Sequence, residues 1–336
     1  MKKIVIYFLS LGLMFCFITT GLAQTIINIG THPIGSSFYV IGSAVAVVVG
    51  KHTPIKITVK PMAGPQSWYP LVLTQEIDLG IVNNWDAEKG YLGESVYKKL
   101  SKEKGFPLRL VAIGTYNLMG LGVVADSGIF KSSDLKGKRI GGNIPIPSLQ
   151  MQIEALLANG GVSWAEIKPI PVTSVTEGMK AVIEGRADTF PFLLGGPMTE
   201  ELQAKRGARL LPFDPSQEAL MRAKEKFPGY PVKVTPGPGK TGVDKEMCLM
   251  AYDNYLIGRK DLSDEVVYQV VKALWENYGE LGAIHVLLKD WTHERFVTKE
   301  ALIPYHSGAI KFYIEKGVWT SEMARLQESL LAKKKE

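Results

Sequence analysis

Cysteine is almost missing from this chain: its 336 residues hold only Cys16 and Cys248. Cys16 lies in an opening stretch, MKKIVIYFLSLGLMFCFITTGLA, whose two lysines, short apolar run and small closing residues read as a secretory signal peptide cleaved after Ala23. Cleavage leaves Cys248 alone, so an intramolecular disulfide is excluded and stability must come from a buried core. A membrane-spanning run is lacking as well. The apolar part of the leader is broken by Gly12, Thr19, Thr20 and Gly21 and falls short of the roughly 20 residues a span requires. Nor is there a concentration of one charge. The formal net charge of +6 loses Lys2 and Lys3 with the leader and becomes +4, and apart from a terminal KKK the lysines are scattered or lie near acids. That excludes the dense basic stripe of a nucleic-acid binder.

Catalytic and metal signatures are equally scarce. There is no G-x-S-x-G elbow, no H-E-x-x-H and no cysteine pair, and His285, His293 and His306 are spaced unlike metal ligands. The stretch GPGKTG (237–242) satisfies G-x-G-x-x-G but stands before an apolar strand rather than at the start of a helix, which argues against a nucleotide. No cofactor is expected.

What is present is a rhythm of strand, helix and strand. TIINIG (25–30), an apolar helix over 38–49, IKITV (55–59), a helix in SWYPLVLTQ and the continuous apolar run IDLGIV (77–82) alternate in order. Runs apolar throughout suit strands covered on both faces, so the sheet is expected to be largely parallel. LRLVAI (108–113) and LGVVA (121–125) read as two further strands. The pattern restarts at KGKRIGG, with helices at SLQMQIEALLANGG and VTEGMKAVIEG and strands at IKPIPV and DTFPFLL, so two similar lobes are expected. MCLMAYDNYLIG (247–258) reads as a strand crossing back, and from Ser263 onward the chain is helical with Val267, Val270, Val271, Leu274, Tyr278 and Leu281 on one face.

Two helix starts follow strand ends, GSSFY (35–39) and PSLQ (147–150). A helix N-terminus offers unpaired N–H groups and the positive end of a dipole, so each suits an anion. Plain capping by Ser36 or Ser148 explains either one taken singly; the matched pair favours binding. His32 on the first loop, Asn84 and Trp85 after the third apolar strand, and Tyr116 are further candidates to line a cleft, although a solvated loop histidine, a turn and a core filler account for the same residues.

Taken in order, GTHPIGSSFYVIGSAVA, QEIDLGIVNN, LVAIGTYN, ADSGIFKSSDLKGKRIGG, GMKAVIEGRADTFPFLLGGP and IPYHSGAIKFYIEKGVW resemble the TAXI family of TRAP-transporter solute receptors over nearly the whole mature chain. The resemblance implies an α/β periplasmic binding protein of two lobes (type II-like), mostly parallel sheets flanked by helices, with a ligand cleft between the lobes. It implies residues 24–119 with 248–336 as one lobe and 120–247 as the other. It further implies no catalysis, a small organic anion (carboxylate or amino acid) as ligand, a sodium-driven TRAP permease as partner, and a periplasmic location in a Gram-negative bacterium. The family's opening glycine-rich pattern is met by Gly30, Thr31, Gly35, Ser37, Phe38 and Tyr39, with His32 and Ser36 in place of glycines. Asn84 and Trp85 stand where a polar pair is usual. In the second lobe only Ser148 survives of a Gly-Ser turn replaced by Ile144, Pro145, Ile146 and Pro147, and Gly195 belongs to the glycine pair of LLGGP. Prolines remove backbone donors and Trp85 adds apolar area, so the expected ligand shifts toward a larger or more apolar monocarboxylate. The ligand-binding set expected from all this is Thr31, His32, Ser36, Ser37, Phe38, Tyr39, Asn84, Trp85, Tyr116, Ser148 and Gly195. A secreted hydrolase or transferase of the same architecture, and a sensor subunit serving a signalling receptor, are the alternatives.

Overall fold

The computed structural model describes residues 25–144 and 146–334. The leader, its cleavage point and Pro145 lie outside the described residues. Among the described residues ten strands are found: β1 Thr25–Thr31, β2 Ile55–Pro61, β3 Leu79–Asn83, β4 Leu108–Val124, β5 Arg139–Gly142, β6 Lys168–Pro171, β7 Phe190–Leu193, β8 Ala208–Leu210, β9 Tyr230–Val234 and β10 Met247–Arg259. The helices are α1 Ser37–His52, α2 Pro65–Leu73, α3 Asn84–Leu92, α4 Tyr97–Leu100, α5 Pro147–Asn159, α6 Val175–Ile183, α7 Pro197–Arg206, α8 Gln217–Lys224, α9 Asp264–Glu276, α10 Tyr278–Ile284, α11 Ser307–Glu315 and α12 Ser321–Lys333.

The fold is α/β, with one large mixed sheet in the order β2-β1-β3-β10-β4-β7, β8 beside β4 and β9 beside β10. The parallel expectation holds where a helix crosses between neighbours: β1 runs parallel to β2 and β3, and β5 to β6 in a second, two-stranded sheet. The long strands differ. β10 pairs antiparallel with β3, β4 and β9, and β4 pairs antiparallel with β7 and β8. The direction of a pair depends on chain path rather than on side-chain pattern, so an all-apolar strand cannot report it.

The two strands read at 108–113 and 121–125 are one strand, β4, buried almost throughout its 17 residues. Its first part pairs with the second part of β10 and its second part with the first, so the two long strands pair along most of their length. The pairing slips between Asp253 and Tyr255 and again between Leu256 and Ile257. GPGKTG forms turns between β9 and β10 and opens no helix. The apolar stripe of α9 is buried at Val267, Val270, Val271 and Leu274, with Leu281 following on α10. Cys248 is half-buried on β10. No helix among the described residues is long and apolar enough to cross a membrane.

Candidate functional site

The opening loop is shaped by packing as much as by any ligand. Gly35 turns with φ +90°, a conformation that favours glycine, and it delivers the chain into α1 with Ser36 as cap, whose Oγ accepts the Tyr39 N–H at 3.2 Å. Gly30 serves another purpose: a Cβ there would lie 2.7 Å from the Trp68 indole, which covers it completely.

Five helices begin around one cleft. Gly35, Ser36, Ser37 and Phe38 bring the start of α1, Asn83 caps α3, Ile146 and Ser148 bring α5, Val175 and Thr176 bring α6, and Gly196, Pro197, Met198 and Thr199 bring α7. Each of these helices follows a strand, β1, β3, β5, β6 and β7 in turn, so the cleft lies at the carboxyl ends of the strands, where open α/β sheets hold ligands. Met119 of β4, Pro191 and Leu193 of β7 and Tyr252 of β10 complete the lining. The enclosed cavity is narrow, about 50 Å³, within about 690 Å³ of empty space counted out to the mouth. Among the described residues, no lysine, arginine, aspartate or glutamate lines it.

Positive potential in the cleft therefore comes from backbone. The first-turn N–H groups of a helix have no intrahelical partner, and α5 and α7 carry no side-chain cap, although Pro147 and Pro197 each remove one donor. The α3 terminus is occupied by the chain itself: Asn83 Oδ1 accepts the Asp86 N–H at 2.8 Å. The Asp86 carboxylate, wholly buried, accepts from Ser148 Oγ (2.5 Å), Tyr97 Oη (2.7 Å) and Asn83 Nδ2 (2.8 Å). Burial pushes its pKa above the usual carboxylate range, against the three hydrogen bonds. Ser148 thus faces an internal carboxylate.

His32 is 3 % exposed and stacks on Phe38 with ring centroids 4.3 Å apart and planes 16° from parallel. Neither ring nitrogen has a partner among the described residues. Burial lowers its pKa to about 4, so the ring is neutral at pH 7. Beneath it, Asn117 Nδ2 reaches Ser37 Oγ (3.4 Å), the Tyr252 hydroxyl (3.0 Å) and Asn254 Oδ1 (3.2 Å), tying α1 to β4 and β10.

Of the residues picked out in the sequence, His32, Ser36, Ser37, Phe38 and Ser148 meet in this cleft. Thr31 is buried behind it and donates its hydroxyl to the His32 carbonyl (3.0 Å). Tyr39 is half-buried outside the lining. Asn84 turns its Oδ1 to the Trp85 N–H (3.0 Å), and Trp85 packs in the core; it is the neighbouring Asn83 that lines the cleft. Tyr116 and Gly195 line a separate cavity with Leu287 and Asp290. Gln152, Met179, Thr199 and Tyr252 line the cleft too, but on helices and a long strand they carry no sequence signal distinguishing them from ordinary packing.

Solved structures with similar chain paths include a TctC solute binding protein from Polaromonas, 14 % identical over 93 % of this chain and 99 % of that one, with a TM-score of 0.47. The substrate binding protein of an amino acid ABC transporter is 15 % identical over 77 % and 96 %, TM-score 0.47. A periplasmic binding protein from Brucella ovis with glutathione bound is 13 % identical over 77 % and 69 %, TM-score 0.45. At these identities and scores the likenesses say nothing of this chain's ligand or partner. No curated protein matches the sequence. The model of the NMT1-like family, however, matches residues 29–317, nearly all of the described structure and every residue of the cleft, and the chain belongs to the NMT1-like family.

Proposed function

We propose that this protein is an extracytoplasmic solute-binding receptor that closes two lobes over a small organic anion. The observation that carries the reading is the cleft itself: five helix N-termini gathered at the carboxyl ends of strands, with mostly apolar walls and, among the described residues, no charged side chain. Such a site holds one negative group by backbone dipoles and hydrogen bonds and offers hydrocarbon contact to the remainder. The lobes are residues 24–119 with 248–336, and 120–247, joined through β4 and β10. Closure about those strands buries the solute, so binding free energy becomes a closed population that a partner recognises.

The TAXI resemblance supplies the finer reading: the partner is a sodium-driven TRAP permease, the compartment is the periplasm, and the leader directs the chain there. The ligand expected from the lining is a monocarboxylate with an apolar body. A thermal-shift screen of residues 24–336, stripped of carried-over ligand, against amino acids, dicarboxylates and aliphatic or aromatic monocarboxylates tests this. A ligand at 100 times its dissociation constant stabilises by about 2.7 kcal/mol, and a monocarboxylate recovered unchanged is the expected result. No shift with any acid, or an acid returned chemically altered, removes the receptor reading.

A further inference from the structure

Most polar side chains of the cleft are already engaged within the protein. Ser148 Oγ donates to Asp86, Thr199 Oγ1 donates to the Leu193 carbonyl (2.5 Å), Ser36 Oγ accepts from the Tyr39 N–H, and the Tyr252 hydroxyl accepts from Asn117. Among the described residues of the lining, His32 is the one whose buried side-chain nitrogens lack a partner. Its ring is buried, lines the cleft, is fixed by the stack on Phe38, and has both nitrogens unpartnered among the described residues. An unpaired buried polar group carries a desolvation penalty, and the stack on Phe38 does not need the nitrogens that incur it. A phenylalanine here would stack as well without that penalty.

We infer that His32 reads the polar head of the ligand through a ring nitrogen, and that the ligand is single-headed: one carboxylate or carboxamide on an apolar body. The inference rests on the receptor reading above and deepens it. A neutral imidazole offers one donor and one acceptor, and beside it the first-turn N–H groups of Ser37 and Phe38 add donors suited to a carbonyl or carboxylate oxygen. The body meets Met119, Met179, Met198, Leu149 and Val175, where unbranched thioether side chains adapt to shape. A second carboxylate finds no lining cation and, at the α5 end, meets Asp86 behind Ser148. Tyr252 on β10 and Asp86 on α3 are titratable groups bordering this space; burial raises the pKa of both, and neither supplies positive charge.

The test is calorimetric titration of hexanoate, hexanamide and glutamate into the mature chain, its His32→Phe variant and its His32→Gln variant, with ligand-free unfolding midpoints alongside. Expected is binding of hexanoate or hexanamide to the wild type and at least about tenfold weaker binding to His32→Phe, the loss of one hydrogen bond of about 1.4 kcal/mol. The ligand-free midpoint of His32→Phe should rise, and His32→Gln, which keeps a donor and an acceptor, should bind more tightly than His32→Phe. Unchanged affinity in His32→Phe, or a lowered midpoint that marks the imidazole as structural, overturns the inference while leaving the receptor reading intact. Tighter binding of glutamate than of hexanoate overturns the single-headed class. A wild type that binds none of the three overturns this inference, and the wider acid screen above decides the receptor reading separately. Should His32→Phe fail to fold, the ring ¹⁵N shifts of His32 in the wild type decide: a shift on saturation with hexanoate supports the contact, and unmoved resonances overturn it.

Discussion

Ser148 Oγ donates to Asp86 Oδ2 across 2.5 Å, and this contact joins the first turn of α5 to α3 on the opposite wall of the cleft. Asn83, the cap of α3, also reaches Ser148 Oγ at 3.2 Å, so two first-wall side chains hold one second-wall hydroxyl. Ser148→Ala removes a hydrogen bond to a buried carboxylate and leaves Asp86 with Tyr97 and Asn83. The expected loss is about 1–3 kcal/mol, read from the urea midpoint, with a larger radius of gyration by solution scattering as the walls separate. An unchanged midpoint and radius would show that the contact neither stabilises nor closes the molecule.

The pH response should carry two opposed signs. His32 has a folded pKa of about 4 against an ordinary 6.5, so between those values the unfolded chain binds a proton that the folded chain refuses. Its contribution is present above pH 6.5 and is lost as pH falls toward 4, on the order of 3 kcal/mol in all. Asp86 is raised by burial and acts oppositely: its contribution is present at low pH and is lost as pH rises through its folded value. The difference between wild type and His32→Phe isolates the first effect. That difference should grow in favour of the variant as pH drops from 6.5 to 4, and a constant difference would contradict the assignment.

How far the sequence foretold this depends on where the signal is local. The α1 start was legible because a glycine turn, two serines and an apolar helix stand together, and four of the cleft residues follow from that one stretch. Asn83 was displaced by one position to Asn84, since the last residue of a strand and the cap of the next helix are the same residue here. β4 was divided because Gly114, Tyr116 and Asn117 interrupt its apolar run, yet Asn117 is satisfied by Ser37, Tyr252 and Asn254, partners far away in sequence. The antiparallel course of β10 and the polar partner of Ser148 are likewise set by long-range chain path, on which periodicity is silent.

Gly80 lies beneath the same indole as Gly30, and a Cβ on it would sit 2.1 Å from Trp68 Cη2. Trp68 is wholly buried and its Nε1 has no partner among the described residues, so the ring is held there by packing alone. Gly80→Ala should destabilise by about 1–3 kcal/mol through overpacking. Combined with Trp68→Phe, which vacates part of the space, the double variant should be less destabilised than the two single effects added together. Strict additivity in urea unfolding would mean that the strand shifts away rather than pressing on the ring.

Arg295 secures the long strands where their pairing slips. Its Nη2 meets Asp253 Oδ1 at 2.7 Å, its Nε donates to the Gly114 carbonyl at 3.1 Å, and its guanidinium lies 4.9 Å over the Tyr116 ring. Tyr230 adds a hydroxyl to Asp253 Oδ1 at 3.0 Å. Asp253 is the last residue before the β10 register shift, so this group fixes β4 against β10 at the crossing about which closure is proposed. In a cycle of Arg295→Met and Asp253→Asn, the half-exposed pair should show a coupling of about 1 kcal/mol. Arg295→Met should also speed amide exchange at residues 114–117, because the carbonyl of Gly114 loses its donor and the ring of Tyr116 its cover. Exchange that quickens without any change in solute affinity would separate the rigidity of the crossing from the chemistry of the cleft; exchange that stays slow would mean that backbone pairing alone holds the crossing, and the Arg295 role would fall.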